Sequence, residues 1–328
     1  MNYIKNNLCK FRQVNVLVIG DIMLDRFTYG RVERISPEAP VPVFNYCYEN
    51  QMLGGAGNVV ANISSLGAKC TFLGIIGKDH AGLKISSLLG KLRVHSHLLK
   101  LSEYPTIQKT RIIAGNYHLL RIDHEIKLPT ISNIVDRFSK IIQIAIQKSD
   151  VILLSDYNKG VLTTDSTKLI IDVCRLQKKP VIVDPKGNDY SKYQGSTLIK
   201  PNLKEFGEAT HAKYDPLSKN FQNDITESAL DLMNKYNIDN VVVTLSEHGM
   251  LHVSKTKKTF THVSTDAKEV FDVSGAGDTS LAILGLSIGS GMDVKDAMLL
   301  ANKASGIVVG KVGTATITMN ELNNALLT

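Results

Sequence analysis

The chain runs Val151-Ile152-Leu153-Leu154, then through a helical repeat over residues 164–177, and then Val181-Ile182-Val183. Unbroken apolar runs of this length predict strands buried on both faces. A helix between two of them predicts a parallel pair with the helix packed on the sheet. The same alternation extends outward. Further strands are expected at residues 14–19, 71–76, 197–199 and 241–245. Helices are expected at 57–66, 81–92, 131–147, 204–210, 225–236, 278–290 and 293–309. Residues 249–253 and 259–263 read as a late antiparallel pair. The fold class is therefore α/β, with a doubly wound, mainly parallel sheet flanked by helices.

Two segments break the pattern. Residues 27–48 hold Pro37, Pro40 and Pro42 and read as irregular chain plus edge strands. Residues 107–122 alternate around a Gly115-Asn116 turn and read as a β-hairpin. They predict a small β-sheet subdomain inserted into a single domain over 1–328.

The 328 residues are 43% hydrophobic, enough for a full core. No apolar run nears the roughly 20 residues of a membrane span. The run at 14–19 is too short for an export signal, so a cytoplasmic protein is expected. The cysteines Cys9, Cys47, Cys70 and Cys174 lie far apart and read as free thiols rather than disulfides or a zinc site. The net charge of +7 is dispersed, which leaves small anions and nucleic acid both open. Ser36 and Ser274 lack partners for a hydrolase triad. His95 and His97 alternate on an expected strand and read as surface residues.

Chemistry concentrates at Asp272-Val273-Ser274-Gly275-Ala276-Gly277-Asp278, just before an apolar and small-residue helix. A glycine turn at a helix N-terminus presents unpaired amides to an anion. Asp278 beside such a cradle makes sense as a base that takes a proton from an attacking hydroxyl. Gly54-Gly55-Ala56-Gly57-Asn58 enters another helix; it is a ligand-approach loop, a helix-entry turn or a loose dinucleotide fingerprint. Asp21 and Asp25 follow the first strand and grip sugar hydroxyls or sit in a solvated turn. Lys109 and Arg111 share one face of the hairpin, with Arg121 on the return strand. They bind a phosphate or guard an edge. Asp156 and Lys186 stand in loops after buried strands. Asn202 and Glu205 form a capping box or face a hydrated Mg²⁺–phosphate group.

Gly54-Gly55…Asn58, Gly77-Lys78-Asp79…Gly82, Asn202…Glu205 and Gly275-Ala276-Gly277-Asp278 occur in this order. In this the chain resembles the ribokinase-like (PfkB) carbohydrate kinases over nearly its whole length. Val60 and Ile283 stand where that family has small residues. Arg34-Ile35-Ser36-Pro37-Glu38, Ser155-Asp156-Tyr157-Asn158-Lys159-Gly160, Asp184-Pro185-Lys186-Gly187 and Gly310-Lys311-Val312-Gly313-Thr314 are similar to the D-glycero-β-D-manno-heptose-7-phosphate kinases. The chain ends at Thr328 and so resembles a stand-alone kinase.

The resemblance implies a ribokinase-like fold in which the β subdomain is a lid. It implies transfer of the γ-phosphoryl of ATP to the 1-hydroxyl of the heptose 7-phosphate, for lipopolysaccharide core synthesis. Asp278 would be the base, and the amides of Gly275, Ala276 and Gly277 the anion hole. Asn202, Leu203, Lys204, Glu205, Thr244, Ser246, Gly249 and Asn302 would bind ATP, with Glu205 reaching Mg²⁺ through water. Asp21, Asp25, Gly54, Gly55, Asn58, Lys109, Arg111, Arg121, Asp156 and Lys186 would bind the sugar phosphate. ATP and Mg²⁺ are the implied cofactors, with a monovalent cation an open addition. The implied partners are a small phosphorylated sugar and a second copy joined through the lid, with neither nucleic acid nor membrane. Another sugar or nucleoside acceptor, or a non-catalytic nucleotide-binding regulator, is the alternative.

Overall fold

The structure, a computed structural model, describes residues 2–115, 117–126, 133–265, 272–311 and 313–327. Its strands are β1 Asn15–Gly20, β2 Ile22–Ile35, β3 Pro42–Gly55, β4 Lys69–Gly77, β5 His95–Leu101, β6 Gln108–Ala114, β7 Tyr117–His124, β8 Val151–Ser155, β9 Val181–Asp184, β10 Leu198–Ile199, β11 Asn240–Thr244, β12 Met250–Ser254 and β13 Phe260–Val263. Its helices are α1 Asn2–Leu8, α2 Ala56–Ser65, α3 His80–Lys91, α4 Asn133–Lys148, α5 Thr164–Leu176, α6 Leu203–Thr210, α7 Phe221–Tyr236, α8 Ala276–Gly289, α9 Val294–Val308 and α10 Met319–Ala325. The first two residues of the helix expected at 131–147 lie outside the described residues.

Nine strands form the main sheet in the order β13-β12-β11-β10-β9-β8-β1-β4-β5. All neighbours from β11 to β5 are parallel, and β12 and β13 turn antiparallel as expected. Side chains alternate between two cores. Val16, Val18, Leu153 and Val242 face the core shared with α2, α3, α8 and α9. Leu17, Ile19, Ile152, Leu154, Val241 and Val243 face the core shared with α4, α5, α6 and α7. Both faces are covered, which is why the strands read as unbroken apolar runs. Val60 and Ile283 are fully buried in the first core.

α8 is buried on almost every side. It lies close on β8, since a Cβ on Gly285 would stand 2.6 Å from Leu153 Cδ2. From the central β1 the chain first builds toward β4 and β5 and later returns to add β8, β9, β10 and β11 on the other side. That reversal is a topological switch point, where ligands bind at the carboxyl ends of the strands.

The second sheet has the order β3-β2-β6-β7. Within residues 27–48 only the connection 36–41 is irregular, and β3 is an edge strand as expected. The rest belongs to two 14-residue strands, longer than expected, paired from Ile22↔Gly55 to Ile35↔Pro42. Pro37 and Pro40 gather in the connection at the far end and Pro42 opens β3, so no proline interrupts the ladder. β2 leaves β1 after the single residue Asp21, so Asp21 and Asp25 do not sit in a solvated turn. Both are buried. The expected hairpin is β6 and β7, paired antiparallel, while β6 runs parallel to β2.

Candidate active site

Gly275 caps α8 with φ 86° and ψ −3°, the left-handed region where a side chain is strained. A Cβ there would also stand 2.5 Å from Asn58 Nδ2. Asp272 pins the turn: its Oδ1 accepts from the Ser274 amide at 2.8 Å and its Oδ2 from the Gly313 amide at 3.1 Å. The Ala276 amide donates to the Val273 carbonyl at 3.3 Å. The amides of Gly275, Gly277 and Asp278 donate to no atom among the described residues. Of the three expected amides only that of Ala276 is engaged, and the Asp278 amide adds to the open cradle at the first turn of α8.

Asp278 is 4% exposed. Its Oδ1 accepts from the Tyr157 hydroxyl at 2.7 Å and its Oδ2 from Asn58 Nδ2 at 3.1 Å. Burial pushes its carboxyl up to about 7; the Tyr157 and Asn58 donors oppose the shift, Asp184 adds repulsion and Lys200 counters it. A carboxyl balanced there is suited to accept a proton near neutral pH. Asn58 is fixed in turn by Asn62, whose Nδ2 donates to the Asn58 carbonyl at 3.0 Å. Asn62 Oδ1 accepts from the Ile317 amide at 3.1 Å and the Thr279 hydroxyl at 3.3 Å, which ties α2 to α8.

A cavity of about 550 Å³ opens on one side of this point. Tyr157, Ala276 and Gly277 line its end, and Asn202, Glu205, Thr244, Ser246, Gly249 and Asn302 line its length. Asp184 at the end of β9 and Lys200 just after β10 also line it, and of these Lys200 was not foreseen. Lys200 is 2% exposed, and its Nζ pairs with Asp184 Oδ1 at 2.9 Å. The same Nζ would lie 3.8 Å from a Cβ on Gly277. Lys200-Pro201 precedes the noted Asn202, so the signal lay one step upstream. A lysine following Thr197-Leu198-Ile199 reads as the strand's solvent end, and the sequence does not show its burial.

Leu203 and Lys204 do not line the cavity. Lys204 points to solvent from the outer side of α6, 3.9 Å from Glu208. Glu205 completes the capping box with Asn202 and accepts from Lys186 Nζ at 2.8 Å. Lys186 is thus a cation of this cavity rather than of the second sheet.

The second sheet joins this point through β3, which runs directly into α2 and its Asn58. Asp25 on β2 is buried and pairs with Arg111 Nη1 at 2.8 Å. The Arg111 guanidinium stacks over the Phe27 ring at 5.0 Å. Lys109 is the register partner of Asp25 on β6. Gly54 is required beside them, because a Cβ there would stand 2.3 Å from Asp25 Oδ2. Gly55 ends β3 against the Asp21 carbonyl, to which the Ala56 amide donates at 3.0 Å. Three sequence candidates are occupied elsewhere. Asp21 accepts from the amides of Tyr157, Lys159 and Val161. Asp156 is buried against Lys192 and Tyr193. Arg121 is exposed on β7 and pairs with Asp123 at 2.9 Å. These groups hold loops and edges, so the structure does not bring them to Asp278.

Residues 13–321 match the family described as pfkB family carbohydrate kinase. The chain is 41% identical over 317 residues to the Bifunctional protein HldE of Pasteurella multocida, covering 97% of this chain and 64% of that protein. It is 43% identical over 321 residues to the Bifunctional protein HldE of Mesorhizobium japonicum, covering 97% and 63%. It thus spans just under two thirds of the length of these relatives. Phosphofructokinase-2 from Escherichia coli in complex with potassium aligns with a TM-score of 0.77 at 19% identity, covering 96% of this chain and 98% of that one. Ribokinase from Arabidopsis thaliana complexed with ribose and ATP aligns with a TM-score of 0.74 at 17% identity, covering 96% and 99%. At such identities the likeness is one of fold.

Proposed function

The chain belongs to the pfkB family of carbohydrate kinases, and on that premise we propose that it phosphorylates the 1-hydroxyl of D-glycero-β-D-manno-heptose 7-phosphate. The observation that carries the reading is the position of Asp278. It is held by Tyr157, which lines the cavity with Gly277 and Lys200, and by Asn58 on the helix that follows β3 of the second sheet; Tyr157 feels the charge of both Asp278 and Asp25, the partner of Arg111.

Asp278 takes the proton of the acceptor hydroxyl as its oxygen attacks the terminal phosphorus of ATP and the bond to ADP breaks. The free amides of Gly277 and Asp278 and the Lys200 ammonium meet the charge on the moving phosphoryl group. The cavity fits ATP in size, at about 550 Å³. Its two lysines, Lys200 and Lys186, are paired with Asp184 and Glu205, so they offer N–H donors to phosphate oxygens rather than a net positive wall. Both Glu205 oxygens are hydrogen-bonded, to Lys186 and to the Asn202 amide. No group of three acidic, histidine or cysteine side chains suited to a metal occurs among the described residues. These donors fit Mg²⁺ held through its own water shell, where it would neutralise phosphate charge.

Asp25 and Asn58 are the polar groups nearest the acceptor, and Lys109 and Arg111 are the cations for the 7-phosphate. The second sheet serves as the lid of a single kinase domain and closes over the sugar to exclude water. The same sheet joins two copies. A cytoplasmic location suits ATP and a sugar phosphate, and no helix among the described residues is long and apolar enough to cross a membrane.

The motifs shared with the heptose kinases and the 41% identity to a Bifunctional protein HldE support this acceptor over others. An ADP-release assay decides it, run with the heptose 7-phosphate, ribose, adenosine and fructose 1-phosphate, each with and without K⁺. The expected result is release driven by the heptose 7-phosphate above all. Preference for another acceptor replaces the substrate, and release with none of them removes the catalytic reading.

A further inference from the structure

The segment after β8 converges on one buried carboxylate. Asp21 Oδ2 accepts from the amides of Tyr157 and Lys159 at 3.0 Å each, and its Oδ1 from that of Val161 at 3.1 Å. Asp156 braces the same segment. Its Oδ1 accepts from the Asn158 amide at 2.7 Å, and its Oδ2 from the Tyr193 hydroxyl at 2.7 Å and Lys192 Nζ at 2.5 Å. A loop tied this way delivers one side chain to the reaction centre. The Tyr157 hydroxyl donates to Asp278 Oδ1 at 2.7 Å, while Asn58 holds Oδ2 from the opposite helix. One donor on each oxygen fixes the rotation of the carboxylate and leaves a lone pair on each oxygen for another proton.

We infer that Tyr157 is a positioning residue: its hydroxyl, delivered by the Asp21-anchored loop, holds Asp278 in the orientation in which it takes the acceptor's proton. The inference rests on the reading of Asp278 as the base. Tyr157 keeps its own proton throughout, because burial and the neighbouring Asp278 hold its phenol well above the usual range. A donor on a carboxylate favours the ionised form. The other groups that face Asp278 are Asn58 from α2, Asp184 from the end of β9 and Lys200 from the end of β10, while Asp25 on β2 acts on Tyr157.

Tyr157→Phe tests this, since it keeps the ring in the cavity wall and removes only the hydroxyl. Expected are a kcat lower by about tenfold, an unchanged KM for ATP, and an acid limb of the rate profile moved up by about one pH unit. The Asp278 carboxyl, followed by ¹³C NMR without substrate and assigned against Asp278→Asn, should titrate higher by a similar amount. An acid limb and a carboxyl titration that both stay in place overturn the inference. If the wild-type protein phosphorylates no sugar, the proposed function fails. The NMR titration alone then decides the role of Tyr157: an upward move supports it and no move overturns it.

Discussion

Burial drives the Asp278 carboxyl up to about 7, although Tyr157, Asn58 and Lys200 all favour its charge. Two consequences carry opposite signs. As a base, Asp278 acts only when ionised, so kcat/KM for the sugar should rise about tenfold per pH unit below ~7 and level off above it. A profile flat from pH 5.5 to 8 contradicts the base. As a folded group, its carboxyl binds a proton more tightly than in the unfolded chain. The stability it contributes is complete below the ordinary carboxylate value near ~4 and is lost as pH rises through about 7. Asp278→Asn does not titrate, so its melting temperature relative to wild type should be higher at pH 8 than at pH 4.5. The reverse order, in paired thermal melts, would show that the group is not held up by burial. Asp21 and Asp184 are raised to about 6 in the same way, first by burial, and they are present in both proteins.

At the scale of elements, strand ends sort the cations by substrate. Lys186 follows β9 and lines the cavity with Asn202 and Glu205, whereas Lys109 lies on β6 beside Asp25. Steady-state kinetics should therefore split them. Lys186→Ala raises the KM for ATP, by about threefold to tenfold given that its side chain is 47% exposed and so well screened. Lys109→Ala raises the KM for the sugar phosphate by about tenfold or more and spares ATP. Equal effects on both substrates would undo the assignment.

This split was not legible in the sequence. Lys186 stands in Asp184-Pro185-Lys186-Gly187, a loop after a buried strand, and periodicity does not tell which of two ligands such a loop faces. Asp278 and its glycine turn were legible, because a left-handed glycine, a helix start and a carboxylate leave a local pattern. Lys200 and Tyr157 were not singled out, since their roles come from tertiary pairing with Asp184 and Asp278. Asp21, read as a sugar ligand, shows the converse. A carboxylate at a strand end serves equally to bind three amides of a neighbouring loop, and only tertiary geometry distinguishes the two uses.

For the whole molecule, the main sheet was readable because burial on both faces leaves unbroken apolar runs, as in Val151–Ser155. The second sheet was half hidden. Its two long strands are polar on much of their length, and prolines at their far turn resemble breaks in the strands themselves. Its outer strand carries Tyr117, Leu120 and Ile122 at 78%, 55% and 49% exposed. Such a patch on a sheet edge is suited to a second copy of the chain. The double change Leu120→Glu, Ile122→Glu should convert a dimer to a monomer in sedimentation equilibrium without lowering thermal stability. A variant that remains dimeric moves the interface elsewhere.

The account turns on Asp278 as the group that frees the acceptor oxygen at the meeting of cavity and lid. Its most direct test is single-turnover phosphoryl transfer to the heptose 7-phosphate by Asp278→Asn beside the wild type, with ATP affinity measured separately by fluorescence titration. The account predicts a transfer rate lower by ~10²–10⁴ with ATP affinity within about twofold. A variant that transfers at close to the wild-type rate contradicts it.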